Sequence, residues 1–218
     1  MKTLDLTLPT AEENLACDEE LLDQCQKTDG PELLRFWRPA QHFIVLGYGR
    51  SAEQDVHLSA CRKRNIPVLR RCSGGGTVLQ GPGCLNYSLI LKIEPQGPLR
   101  TIARTNAFIL ERHQRLFERL LGRIVSVRGD TDLALGDRKF CGNAQRRKQG
   151  WLLFHGSILL DLDLHLLEEL LPIPDRQPEY RNQRSHRDFL LNLSRPADEI
   201  QAAFARDWNH PILHQVGS

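Results

Sequence analysis

Three segments of the 218-residue chain carry residues whose types and spacing could do chemistry. The first is Arg70-Arg71-Cys72-Ser73-Gly74-Gly75-Gly76. Three consecutive glycines remove every Cβ, so backbone N–H groups can approach a ligand closely. The two arginines add positive charge and planar donor forks suited to carboxylate or phosphate. A plain turn between strands would also use glycines, but the arginines at a strand end favour an anion site. The second segment is Gly136-Asp-Arg-Lys-Phe-Cys-Gly-Asn-Ala-Gln-Arg-Arg147. A lone lysine after a turn would read as a solvated hairpin residue. Gly142-Asn143 just beyond Lys139 implies special backbone geometry, so Lys139 is expected to face a site as a compact charge on a phosphate or acyl oxygen. The third is His155-Gly156-Ser157 in an apolar strand. His155 is expected to be buried and hydrogen-bonded, with a catalytic base as the alternative.

Nucleophilic catalysis would need a thiol or hydroxyl beside a base. Cys72, Cys84 and Cys141 all lie in or near these segments, so a thioester intermediate is weighed, and spacing nominates none of them. Cys17, Cys25 and Cys61 fall on apolar-periodic helical stretches, where buried thiols are common. The six cysteines form no Cys-x-x-Cys pair, which argues against zinc or an iron–sulfur cluster. The Asp161 and Asp163 pair is expected to cap a helix rather than hold a metal. The glycine run lacks the Gly-Lys-Ser/Thr ending of a Walker A loop, and no Rossmann fingerprint is present. Lys plus Arg total 29 against 27 for Asp plus Glu, a balance unlike that of a general nucleic-acid binder. No apolar run reaches the ~20 residues of a membrane span. The polar start Met-Lys-Thr-Leu-Asp-Leu does not read as a signal peptide, so a cytoplasmic location is expected.

The elements that must position these segments follow from periodicity and punctuation. Thr10-Ala-Glu-Glu13 reads as a capping box opening a helix with Leu15, Leu21, Leu22 and Cys25 on one side, ended by Gly30. Leu33–Trp37 and Phe43–Leu46 are expected as paired strands, and Asp55 as the cap of a helix through Arg64. Val68–Arg71 should deliver the chain into the glycine run. Thr77–Leu79 and Leu85–Ile93 flank Gly81-Pro-Gly83 as strand, tight turn and strand. Arg100 to Leu121 is the longest helical pattern, with Ile102, Phe108, Ile109, Leu116, Phe117 and Leu120 as its apolar side. Strands at 124–127, 132–135, 138–143 and 152–160, a helix at 164–171, an irregular basic stretch at 178–187 and a last helix near 196–208 complete the reading. Strands in runs predict an α+β fold with a mixed, mostly antiparallel β-sheet packed with helices, in one domain over residues 1–218.

These motifs, in this order, resemble the lipoate–protein ligase A family, within the biotin and lipoate ligase superfamily. The likeness runs from Glu13 to about Leu193. It takes in Asn14-Leu-Ala-Cys-Asp-Glu19, Arg70 to Val78, Leu85-Asn-Tyr-Ser88, Gly136 to Arg147, His155-Gly-Ser-Ile-Leu159 and Pro178 to Phe189. The resemblance implies a catalytic domain related to class II aminoacyl-tRNA synthetases and biotin ligases. It implies that Arg71, Ser73, Gly74, Gly75 and Gly76 hold the phosphate and carbonyl of a lipoyl-adenylate. Lys139 would contact acyl oxygen and phosphate in both half-reactions. Asp132, in Thr131-Asp132-Leu133, would help with nucleotide or Mg²⁺, and Asn86, Gly142, Asn143 and His155 would complete the binding set.

The implied reaction is ATP-dependent. Lipoate carboxylate attacks the α-phosphate of Mg-ATP, and an acceptor lysine then attacks the mixed anhydride and releases AMP. Two departures stand out. The ligases follow the glycines with His-Asp, whereas this chain has Gln80-Gly81-Pro82-Gly83, closer to the related octanoyltransferases. Those enzymes use a cysteine just before the His-Gly motif or upstream of Lys-x-x-Gly, and this chain has none at either place. The expectation is therefore a ligase, with an ATP-independent octanoyl or lipoyl transferase as the alternative. No C-terminal accessory domain of the kind many of these ligases carry is expected, so either activation proceeds without it or a separate small protein supplies it. A lipoyl domain or a glycine-cleavage H-like protein is the expected acceptor, and the chain is expected to be a monomer, with no nucleic-acid or membrane partner.

Overall fold

The computed structural model describes residues 1–209. In chain order the elements are β1 (Lys2–Asp5), α1 (Ala11–Thr28), β2 (Leu33–Trp37), β3 (Phe43–Leu46), α2 (Ala52–Asp55) and α3 (Leu58–Lys63). Next come β4 (Val68–Arg70), β5 (Val78–Gln80), β6 (Cys84–Lys92), α4 (Ile102–Leu121), β7 (Ser126–Arg128) and β8 (Asp132–Leu135). The remainder is β9 (Arg138–Lys148), β10 (Trp151–Leu159), α5 (Leu164–Leu170), α6 (His186–Phe189) and α7 (Ala197–Asn209). Local chemistry sets many of these ends. The Thr10 hydroxyl and the Glu13 carboxylate satisfy each other's backbone N–H groups at the start of α1. The expected stop at Gly30 falls one residue earlier, because Asp29 takes the left-handed conformation at φ 47°. Gly122, at φ 62°, ends α4, and the Asp163 carboxylate caps α5 by accepting from two backbone N–H groups.

Strands β1-β2-β6-β10-β9-β8-β7 form a seven-stranded sheet, and β4-β3-β5 form a separate three-stranded one. Pairing is antiparallel apart from β1 with β2 and β3 with β4, which gives the expected α+β class with a mostly antiparallel mixed sheet. Two expected pairings are corrected. Strand β2 joins the large sheet and β3 the small one, so Leu33–Trp37 and Phe43–Leu46 are not partners. The Gly81–Gly83 turn likewise carries the chain from the small sheet to the large one and closes no hairpin. Nor does Asp55 cap a helix. It lies at the end of α2, where its carboxylate binds the Arg50 guanidinium and the Thr77 hydroxyl.

Alternation along the large sheet separates two environments. One face carries Leu34, Phe36, Leu85, Tyr87, Leu89, Leu91, Leu152, Phe154 and Ile158. It packs on Ile109, Leu116 and Phe117 of α4 and on Ile200, Phe204 and Trp208 of α7 to make the main core. Ile102, expected on that apolar side, is exposed instead. The other face is polar in rows set by register. Arg35 of β2, Ser88 of β6, His155 of β10 and Ala144 of β9 stand abreast, as do Trp37, Asn86, Ser157 and Gly142. A neighbouring row, Leu33, Ile90 and Leu153, is apolar and packs on Leu22 and Cys25 of α1. Every sequence-predicted site residue on the large sheet except Asn143 belongs to this second face.

Candidate active site

The glycine loop leaves β4 at Arg70 and crosses the second face of the sheet. Arg70 is spent on the neighbouring 47–50 turn and Arg71 on the glycine loop itself. The Arg70 guanidinium donates to the carbonyls of Gly47, Tyr48 and Arg50 at 2.9, 2.9 and 2.7 Å. Arg71 curls back: Nε donates to Ser73 Oγ at 3.0 Å, and Nη2 to the Gly74 and Gly76 carbonyls at 2.7 and 2.9 Å. Both forks thus bond to the protein's own chain in this structure. Burial lowers the Arg71 guanidinium to about 10, which leaves it charged at neutral pH. Gly74, Gly75 and Gly76 are exposed, with their backbone open to a ligand. Gly75 has φ 93°, and a Cβ there would fall 2.8 Å from Arg71 Nη2. Its carbonyl passes so close to Gly47 that any side chain at 47 would collide with it.

Lys139 reaches the same face through a break in strand pairing. In a regular strand, Lys139 and Gly142 would point to opposite sides. The register between β8 and β9 shifts at Leu133/Ala134: Cys141 pairs with Leu133 but Lys139 with Ala134, leaving Phe140 as an extra residue. This β-bulge turns Phe140 and Cys141 both into the core and puts Lys139 and Gly142 on one face. The lysine then lies across Gly142, where a Cβ would fall 2.6 Å from Nζ. Nζ pairs with Asp132 Oδ1 at 2.7 Å, and the Tyr180 hydroxyl donates to Asp132 Oδ2 at 2.8 Å. Burial and the Asp132 charge push the Tyr180 hydroxyl up, so it stays a donor. The strand is clamped from behind: the Leu191 N–H donates to the Lys139 carbonyl at 2.8 Å, and Arg138 donates to the Leu190 carbonyl.

The remaining expected residues divide by what they touch. His155 Nε2 lies 2.6 Å from Ser73 Oγ, fastening the loop to β10. Asn86 is buried in a ring with Gln80 and Ser157 that ties the small sheet to the large one. Asn143 faces the other way: its amide donates to the Thr131 carbonyl at 2.7 Å and its oxygen accepts from the Tyr87 hydroxyl. In this arrangement the Asn86 and Asn143 side chains bond to neighbouring strands and loops of the frame. Asp132, expected to help with nucleotide or Mg²⁺, is paired here with Lys139 and Tyr180. Among the described residues no group of three His, Cys, Asp or Glu side chains could hold a metal.

Two residues near the loop were not anticipated. Arg146 shares its face with Gly142 and Ala144, and its buried Nε has no hydrogen-bond partner. Its guanidinium lies 5.8 Å from the centre of the exposed Tyr48 ring. Tyr180 lies in the Pro178–Phe189 stretch, which carried part of the family resemblance but no site role. Gly75 lies over Ala144 of β9, two residues from Gly142, so the loop, Lys139 and Arg146 converge. The three cysteines of these segments all have thiols raised above the ordinary range. Burial pushes the Cys72 thiol up to about 11, helped by Glu19 and Asp18. Burial pushes Cys84 and Cys141 up to about 12.

A lysine and an arginine whose Nε has no hydrogen-bond partner, beside an open glycine backbone, suit a reaction that builds negative charge on oxygen. The sequence pattern of the lipoyl protein ligase A/B catalytic domain matches residues 10–207. The chain belongs to this family. This lipoate ligase and transferase family forms amides by acyl transfer, and its two branches are both similar to the chain. The octanoyltransferase LipM of Bacillus subtilis is 31% identical over 221 residues, covering 88% of this chain and 78% of that protein. A crystal structure of a lipoate-protein ligase A bound with ATP superposes with a TM-score of 0.82 and 25% identity, covering 95% of this chain and 83% of that one. A bi-partite lipoate protein ligase from Thermoplasma acidophilum, described with its E2 lipoyl domain, gives 0.81 and 26%, covering 95% and 81%.

Proposed function

We propose that this lipoyl ligase-family chain is an ATP-dependent lipoate–protein ligase, which forms lipoyl-adenylate and passes the lipoyl group to a lysine of an acceptor protein. The carrying observation is the contrast between Lys139 and the thiols. Lys139 is held by Asp132 over Gly142, two residues along β9 from the Ala144 that the glycine loop covers, whereas no cysteine combines access, a neighbouring base and a lowered pKa. In the first half-reaction a lipoate oxygen attacks the α-phosphorus of ATP and pyrophosphate leaves. In the second, the acceptor amine attacks the acyl carbon, the C–O bond to phosphate breaks, and AMP departs. Both steps place negative charge on oxygens that the loop N–H groups and Lys139 can meet. Arg146, with donor capacity unspent, suits the lipoate carboxylate. Mg²⁺ enters with ATP as part of the substrate.

The ATP-bound relative supports the nucleotide. The bi-partite archaeal ligase supports a lipoyl-domain acceptor and a second, separate polypeptide. The test is pyrophosphate release. It should require lipoate and ATP together, and lipoylation of a lipoyl domain should follow. No release with acceptor and an accessory subunit present would end the ligase reading.

The octanoyltransferase relatives and the Gln80–Gly83 turn favour a second reading, ATP-independent transfer through a cysteine. The two readings differ in a simple way. A Cys72→Ser/Cys84→Ala/Cys141→Ala protein should keep transfer within about threefold of the parent, a change of under ~1 kcal/mol in barrier. Loss of transfer confined to one of those substitutions would establish the thioester route.

A further inference from the structure

The polar row behind the glycine loop holds a buried ionic group that the chemistry above does not use. Asp18, on α1, is buried over the row formed by Arg35, Ser88 and His155. Its Oδ1 accepts from Arg35 Nη1 at 2.6 Å and its Oδ2 from Ser88 Oγ at 2.6 Å. His155 Nδ1 lies 3.6 Å from Oδ2, and His155 Nε2 lies 2.6 Å from Ser73 Oγ. Arg35 is fully buried, with its remaining donors on the Leu6 and Asn14 carbonyls and the Asn14 side chain. A carboxylate and a guanidinium buried together contribute little net stability against apolar residues of the same volume.

The order Asp18, His155, Ser73 is that of a serine-hydrolase relay. Ser73 has no exposed surface, however, and its Oγ already accepts from Arg71 Nε, so it cannot reach an acyl carbon. A brace fits these facts. In a neutral imidazole, Nδ1–H turned toward the carboxylate leaves Nε2 as acceptor for the Ser73 hydroxyl. Ser73 in turn holds the loop on both sides, since its carbonyl accepts from the Tyr48 N–H at 2.9 Å. We propose that Asp18 is a positioning residue for the glycine loop, acting through His155 and Ser73. This deepens the acyl-transfer site proposed above and rests on the loop being the acyl-holding element. It does not depend on whether the donor is an adenylate or a thioester.

The test is a double-mutant cycle of Asp18→Asn and Ser73→Ala, run with preformed acyl-adenylate and with acyl thioester. Each single change should lower kcat by about 10- to 100-fold, the penalty of a misplaced reacting geometry, with the acceptor KM little changed. The double variant should be no slower than the slower single one, because both break the same chain. His155→Gln, which keeps an acceptor, should retain more activity than His155→Leu. Amide exchange gives a readout independent of turnover. Exchange of the Tyr48 N–H should speed up in both single variants while amides of α4 do not change. Should Asp18→Asn fail to fold, Ser88→Ala removes one donor from Asp18, leaves the ion pair, and should show the same pattern more weakly. Multiplying effects in the cycle, or an unchanged Tyr48 amide in folded variants, would overturn the proposal. A parent protein that uses only the thioester would end the ligase reading but leave the cycle readable, and exchange still decides if neither donor is used.

Discussion

Replacing Lys139 by alanine is expected to slow acyl transfer by about 10²- to 10³-fold, the usual loss for one preorganised charge on a reacting oxygen. Lys139 Nζ is held 2.7 Å from Asp132, and Asp132 is held by Tyr180, so the ammonium reaches substrate already oriented. The fold should survive, since the lysine is only partly buried and its strand is clamped through backbone bonds. A sharper form leaves the lysine in place. Gly142→Ala puts a methyl 2.6 Å from Nζ and 2.7 Å from Cε, so the side chain must leave its position. Both variants should lose kcat together and keep a parent-like circular dichroism spectrum. If Gly142→Ala transferred lipoate as fast as the parent, Lys139 would not work from this position.

Arg35→Met is expected to produce the largest loss of stability in the molecule. Arg35 has no exposed surface, and its loss strands the Asp18 carboxylate in the interior. Breaking a buried pair in this way costs about 3–5 kcal/mol. For a chain of this size, that lowers Tm by roughly 6–20 °C. Changing both partners to apolar residues should recover much of the loss, because no unpaired charge remains. A pH signature goes with it. Burial would raise the Asp18 carboxyl, but the His155 ring, the Arg35 guanidinium and the Ser88 hydroxyl hold it below its ordinary value. A depressed folded pKa adds stability that is complete above the unfolded value of about 3.9 and is lost as pH falls below it. The parent should therefore destabilise more steeply than Asp18→Asn below about pH 4, measured by denaturant midpoint. Parallel curves would mean that Asp18 is not the group concerned.

Much of this was legible in the chain because it is local. The Thr10-to-Glu13 box, the Asp163 cap, the long α4 and the strand runs each follow from residues a few positions apart. The motif residues were also found, since glycine runs and a lysine beside Gly-Asn are unusual at the level of composition. Their jobs were less legible. Arg70 and Arg71 read as anion forks, because nothing in sequence shows which carbonyls will pass within reach. Asp132 read as a metal ligand because its two partners, Lys139 and Tyr180, are brought to it by a bulge and by a distant segment.

Sequence alone determined the α+β class, the caps at Thr10 and Asp163, the family and the segments that meet at the site. The tertiary structure decided which face each residue takes and which charges are spent. Strand pairing is non-local: Ser73 and His155 are 82 residues apart, and their contact depends on β10 lying in register with β6 and β9. One bulged residue, Phe140, reverses the side on which Lys139 appears relative to Gly142. A two-residue period cannot anticipate that reversal, since the bulge exists only where β8 and β9 pair.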